Sequence, residues 1–215
     1  MALSKVNFNS INVTPAASKA IKFNSSNNGL ETGDLSANLV LISEQTASSS
    51  ATIDFTSGLS STYDVYVFKF INCHPASNDV NFQFNMSVDG GSNYNVTKTT
   101  LRFTALHSED DSTHASFQNE ATRNLEQSTA DKILLNGVGN VDDESCSGTL
   151  HLFNPSSTTF ITNFIGRATE NRSDNTCEDA FCAGYANTTS AVNAIRFKFG
   201  SGNIDSGTIK MYGVL

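Results

Sequence analysis

The side chains that carry the most chemistry in this 215-residue chain are four cysteines (Cys73, Cys146, Cys177, Cys182), four histidines (His74, His107, His114, His151) and two carboxylate runs, Glu109-Asp110-Asp111 and Asp142-Asp143-Glu144. Zinc is held by ligands in close pairs such as Cys-x-x-Cys with a second cluster further on, and the chain has neither. Cys177 and Cys182 bracket Glu-Asp-Ala-Phe in a polar stretch that reads as a loop, where a disulfide needs Cα atoms within about 7 Å. Synthesis in a cytosol keeps such thiols reduced. The spacing leaves a bridge and two idle thiols both open.

No Gly-x-Ser-x-Gly elbow marks a nucleophilic serine, no local Cys/His signature marks a nucleophilic thiol, and the histidines lack His-Glu-x-x-His spacing. Gly137-Val-Gly139 has two glycines of a phosphate-cradling loop but no third, and no helical pattern follows it. Asp142, Asp143 and Glu144 are the donor type that a hard cation such as Ca²⁺ takes, yet the alternating Asp-x-Asn-x-Asp-Gly order is missing, so both acidic runs read as solvated surface loops. No catalytic, cofactor-binding or metal-binding residue is assigned, and the chain reads as a non-enzyme without a cofactor.

The elements that would position these groups follow from composition. Ser, Thr and Asn number 28, 22 and 24, about a third of the chain, and their side chains compete for backbone hydrogen bonds in a way that disfavours long helices. Fifteen Phe and 38% apolar residues still supply a core. The net charge of −8 argues against a nucleic-acid partner, which calls for a basic patch. No run approaches the roughly 18 consecutive apolar residues of a membrane helix, and Met1-Ala-Leu-Ser-Lys-Val-Asn-Phe8 lacks the apolar stretch of a signal peptide. Cytosolic synthesis without membrane insertion is the expectation.

Period-2 alternation is the dominant pattern. Val80, Phe82, Phe84, Met86 and Val88 face one way and Asn81, Gln83, Asn85 and Ser87 the other, which predicts a half-buried strand. Asp89-Gly-Gly-Ser-Asn93 follows, and with Tyr94 to Phe103 it predicts a hairpin. Ile195, Phe197 and Phe199, then Gly200-Ser-Gly-Asn203 and Thr208–Tyr212, predict a second hairpin at the C-terminus. Tyr63–Ile71 is apolar on both faces and suits a strand inside the sheet. Weaker strands fall at 6–13, 20–23, 39–42, 52–55, 133–135, 149–153 and 158–165. Phe117, Ala121 and Leu125 recur every four residues, so 114–127 is either a helix or an excursion between strands. About eleven short strands predict an all-β fold, an antiparallel β-sandwich of jelly-roll type, with Val65, Val67, Phe68, Phe82, Phe84, Ile195 and Phe197 in the core. Residues 1–28 read as an N-terminal arm or edge segment and 29–215 as a single β-sandwich domain.

The strings Ala20-Ile-Lys-Phe-Asn-Ser-Ser-Asn-Asn-Gly-Leu-Glu-Thr-Gly33, Phe70-Ile-Asn-Cys-His-Pro75, His151-Leu-Phe-Asn-Pro-Ser-Ser-Thr-Thr159 and Ile204-Asp-Ser-Gly-Thr-Ile-Lys-Met-Tyr-Gly213 run through nearly the whole chain. In them the sequence resembles a family of virion structural proteins from marine cyanobacterial phages. The resemblance implies a β-type virion component made in the host bacterial cytoplasm and working on the virion exterior, and it transfers no active-site residue. A capsid-surface decoration or cement protein is the first expectation, since the chain has no heptads or shaft repeats. Its partners would be the major capsid protein or other virion proteins, and it would act as a homo-oligomer, with a trimer as the guess. The alternative is a tail-appendage module that binds a host polysaccharide. A carbohydrate-acting enzyme with two separated carboxylates is the third reading.

Overall fold

The computed structural model describes residues 19–26, 28–34, 38–111 and 115–215. The chain divides into two compact units, Met1–Asn38 and Leu39–Leu215. In the first, β1 (Lys19–Phe23) and β2 (Leu30–Asp34) form an antiparallel hairpin in which Lys19 stands opposite Asp34 and Phe23 opposite Leu30. This hairpin spans residue 28, so the boundary expected there lies instead after Asn38. Most of the expected arm, and the strand expected at 6–13, lie outside the described residues.

The second unit is an antiparallel β-sandwich. Its large sheet holds β3 (Leu39–Thr46), β5 (Val65–Pro75), β7 (Lys98–Ser108), β8 (Ala115–Asn119), β10 (Cys146–Phe153), β11 (Asn163–Asn171), β12 (Thr176–Ala186) and β14 (Ile204–Val214), in the order β3-β14-β5-β10-β11-β12-β7-β8. The small sheet runs β4 (Ile53–Phe55), β13 (Ala194–Phe199), β6 (Val80–Ser87), β9 (Lys132–Val138). The described residues thus hold fourteen strands, with β1 and β2, rather than eleven.

The core lies between the sheets. Phe55, Phe68, Phe70, Phe82, Phe84 and Phe197 are buried and mutually packed, with Phe197 within 6.5 Å, centroid to centroid, of each of the other five. These rings reach the interior because alternate positions on a strand share a face. Of the seven expected core residues, Phe68, Phe82, Phe84, Ile195 and Phe197 lie in the core between the sheets, whereas Val67, though buried, and half-buried Val65 fall at the alternate positions of β5 that face away from it.

Neither expected hairpin forms. β6 pairs with β13 and β9, whereas β7 pairs with β12 and β8, so residues 88–97 carry the chain from one sheet to the other. β13 and β14 likewise lie in different sheets. Turn-forming residues mark a reversal of direction, and a sandwich uses the same reversal to cross between layers. β6 is also not half-buried: Gln83, Asn85 and Ser87 are buried too, because 96–98 and 129–131 cover that face. Asn85 donates to the Thr129 carbonyl at 3.0 Å and to Asp131 at 2.9 Å, and Lys98 Nζ donates to Asn85 Oδ1 at 2.6 Å. Between Ala115 and Gln127 the chain forms β8 and a single 3-10 turn at Ala121–Arg123 rather than a helix; Phe117 projects into solvent, with no apolar face for a helix to bury. The stretch expected as a strand from 158 begins its pairing at Asn163.

Candidate functional site

The known register of each ladder defines which residues share a row across the outer face of the large sheet. One row runs Leu41, Tyr212, Val67, His151, Ile165, Ala183, Leu101, from β3 to β7. At the usual strand spacing it is about 29 Å long. Leu41, Ile165 and Leu101 are each about half exposed. The adjoining row runs Glu44, Lys210, Lys69, Thr149, Arg167, Phe181, Phe103. It is charged at the β3 end and aromatic at the β7 end.

At that aromatic end Phe103 and Phe181 stack with centroids 5.0 Å apart, and Phe117 of β8, 72% exposed, extends the cluster at 5.3 Å from Phe103. The Arg167 guanidinium lies 4.7 Å from the Phe181 ring centre and donates to both Asp179 oxygens, at 3.1 and 2.7 Å. The small Ala183 side chain between Ile165 and Leu101 leaves a hollow of about 400 Å³, lined mainly by Leu101, Phe103, His151, Ile165, Arg167 and Phe181. His151 is held below its ordinary pKa by partial burial and then by the nearby Lys69 charge. An open sheet face with half-exposed Ile165 and Leu101 beside an aromatic cluster and a forked Arg–Asp pair is suited to burial against another surface.

Charge is also present inside the sandwich. Arg102 of β7 is fully buried and donates through one Nη to the Glu178 carboxylate, while its Nε donates to the Leu134 carbonyl at 3.2 Å. Its other Nη lies 3.3 Å from Glu120, and Arg172 Nη1 donates to Glu178 at 3.1 Å. Glu170 stands opposite Glu178 in the β11–β12 ladder. Burial and then the Glu178 charge push the Glu170 carboxyl well above the usual carboxylate range. The Glu170 and Glu178 carboxylates are therefore enclosed between the sheets.

Glu144 turns inward, and its carboxylate accepts the Val141 N–H at 2.7 Å, so it caps its own turn. Glu109, Asp143 and Glu144 line one small hollow of about 140 Å³ together with Arg172, whose guanidinium supplies a positive countercharge. Among the described residues no group of three His, Cys, Asp or Glu is arranged to hold a metal ion. His74 meets the Val141 carbonyl at 3.3 Å, His107 lies 3.1 Å from Asp111, and His114 is outside the described residues.

Cys177 and Cys182 are not in a loop; both belong to β12, with Cys177 exposed and Cys182 buried on the opposite face. Five residues of extended chain put them roughly 16 Å apart, far beyond disulfide reach. β12 escapes a sequence reading because its buried positions are Thr176, Glu178, Ala180, Cys182 and Ala186 rather than large apolar residues. The outer-face band escapes it as well, since its members come from seven strands and only the register unites them. The chain matches no protein-family model, no curated protein and no solved structure.

Proposed function

We propose that this chain is a bacteriophage virion structural protein that decorates or cements the capsid exterior, and that it seats on a capsid-shell protein through the outer face of its large sheet. The observation that carries the reading is the apolar band of Leu41, Ile165 and Leu101 with the Phe103–Phe181–Phe117 cluster beside it. The two rows span about 29 Å across seven strands, a width that a partner surface of ordinary interface size can cover. Leu101, Ile165, Phe103, Phe181 and Phe117 gather toward the β7 end, and Arg167 stands beside them with its charge already answered by Asp179. An exposed apolar and aromatic cluster with a paired Arg at its side is the make-up of the centre of a protein contact. The virion assignment itself rests on the sequence resemblance.

The test is co-sedimentation of the purified chain with capsids of the encoding phage that lack it. Saturable binding at hundreds of copies per particle, lost in Leu101→Asp and Ile165→Asp variants that keep their fold, supports the proposal. Binding unaffected by both variants overturns the docking face. Adsorption to host polysaccharide with no capsid binding replaces cement with receptor binding.

A further inference from the structure

Cys73 of β5 and Cys146 of β10 are register partners in an antiparallel ladder, and both side chains are buried in the core. Residues directly opposite one another in such a ladder have Cα atoms about 4.5–5.5 Å apart, within the roughly 4.4–6.8 Å that a disulfide spans. A β-bulge brings them together. Phe70 points inward and Ile71 outward, so strict alternation would send Asn72 inward and Cys73 out. Instead the register shifts between Cys146 and Gly148, Asn72 adopts φ 48° and its N–H donates to Ser147 Oγ at 2.9 Å. Asn72 stays outside with Ile71, and Cys73 is returned to the interior opposite Cys146. A bulge that re-aims one side chain is a built feature of a ladder.

We propose that Cys73 and Cys146 are a latent cross-strand disulfide, closed by a small two-electron oxidant such as hydrogen peroxide and stapling β5 to β10. The Cys73 thiolate attacks one peroxide oxygen, the O–O bond breaks, and sulfenic acid and hydroxide form. The Cys146 sulfur then attacks the sulfenic sulfur and expels hydroxide; the two thiol protons leave with the two hydroxides as water. Two thiols are oxidised by two electrons and one peroxide is reduced to two waters. Burial pushes the Cys73 thiol up to about 12, and complete burial and then the neighbouring Cys73 raise Cys146 well above the ordinary thiol value, so both are protonated at neutral pH. Closure is therefore slow at neutral pH and accelerates with the thiolate fraction. This inference does not depend on where the protein works.

The full-length chain carrying Cys177→Ser, which removes the exposed thiol, is treated with hydrogen peroxide at pH 7, 8 and 9, and in a second arm is refolded from denaturant in its presence. Remaining thiols are alkylated in denaturant and peptides are mapped without reduction. A Cys73–Cys146 linked peptide in either arm, two hydrogens lighter, with Cys182 still alkylated, supports the proposal. In the native arm its rate rises about tenfold per pH unit. Closing a 73-residue separation also lifts the thermal midpoint on the order of 10 °C, reversibly by reductant and not in a Cys146→Ala variant. Both thiols fully alkylated in both arms, either one recovered as a sulfinic acid, or a link from either to Cys182, overturns it.

Discussion

Glu170 and Glu178 stand directly opposite one another on β11 and β12 with both carboxyls buried between the sheets. Arg102 and Arg172 hold Glu178, whereas Glu170 Oε1 accepts the Asn136 N–H at 3.1 Å and its Oε2 has no hydrogen-bond partner. Two like charges cannot share that space cheaply, and the less compensated Glu170 is pushed toward its protonated form. Burial and the Glu178 charge raise its pKa well above the ordinary value.

A folded-state carboxyl pKa raised above the unfolded one makes the folded state bind more protons. This contribution to stability is full below about pH 4.5 and is lost as pH rises toward the folded value. Glu170→Gln keeps an acceptor for Asn136 and removes the titration. Its stability relative to the parent should therefore rise between pH 5 and pH 8 in urea unfolding. An unchanged difference would show that Glu170 is ionised in the fold.

Arg102→Met leaves Glu178 buried with only Arg172 against it. Breaking one side of a buried pair costs about 3–5 kcal/mol, and denaturant midpoints should fall accordingly. The double variant Arg102→Met, Glu178→Leu removes both charges and should regain much of the loss. Additive losses would mean that the pair is not coupled.

Lys98 and Lys132 titrate in the opposite sense. Both are fully buried, and desolvation brings each down to about 8. The folded state then releases protons that the unfolded chain retains up to about 10.5, so these groups add stability as pH climbs from about 8 to 10.5. The slope is at most about 1.4 kcal/mol per pH unit for each lysine. Lys98 Nζ donates to Asn85 Oδ1 and the Val96 carbonyl, and Lys132 Nζ to the Arg123 carbonyl at 3.1 Å, which favours the charged form of each and flattens the rise. Lys132→Met and Lys98→Met should each reduce the rise in urea midpoint over this range; a rise unchanged in both variants would show that the lysines keep their protons in the fold.

Phe197 occupies the centre of the ring cluster. Phe197→Ala should cost about 3–5 kcal/mol and lower the thermal midpoint by roughly 6–20 °C, whereas removal of the exposed Phe117 ring should change stability by about 0.5 kcal/mol or less. Equal effects of the two would contradict the burial pattern.

Gly148 of β10 lies against β11, where a Cβ would sit 2.5 Å from the Arg167 carbonyl oxygen and 2.7 Å from Ala168 Cα. Backbone cannot yield there as a flexible side chain can. Gly148→Ala should lose on the order of 1–3 kcal/mol by calorimetry, whereas Gly90→Ala, with open space around it, should be limited to the strain of its φ of 71°.

What the chain determined by itself was its class and much of its core. Period-2 placement of Phe82, Phe84, Ile195 and Phe197, with Ser, Thr and Asn elsewhere, demands strands that bury one side, and these residues are buried as that pattern requires. Tertiary structure alone decided which strands meet. Asp89–Asn93 and Gly200–Asn203 mark turns, but a turn does not specify whether the chain returns within its own sheet or crosses to the other. Tertiary structure also decided that Glu178, Glu170 and Lys132 lie inside, because each is tolerated only where a partner or an altered protonation state compensates its burial. It assembled the outer-face band from seven strands and set Cys73 opposite Cys146 through a bulge. These are matters of long-range register, in which one residue of slip changes both face and partner, and no local spacing in the chain encodes them.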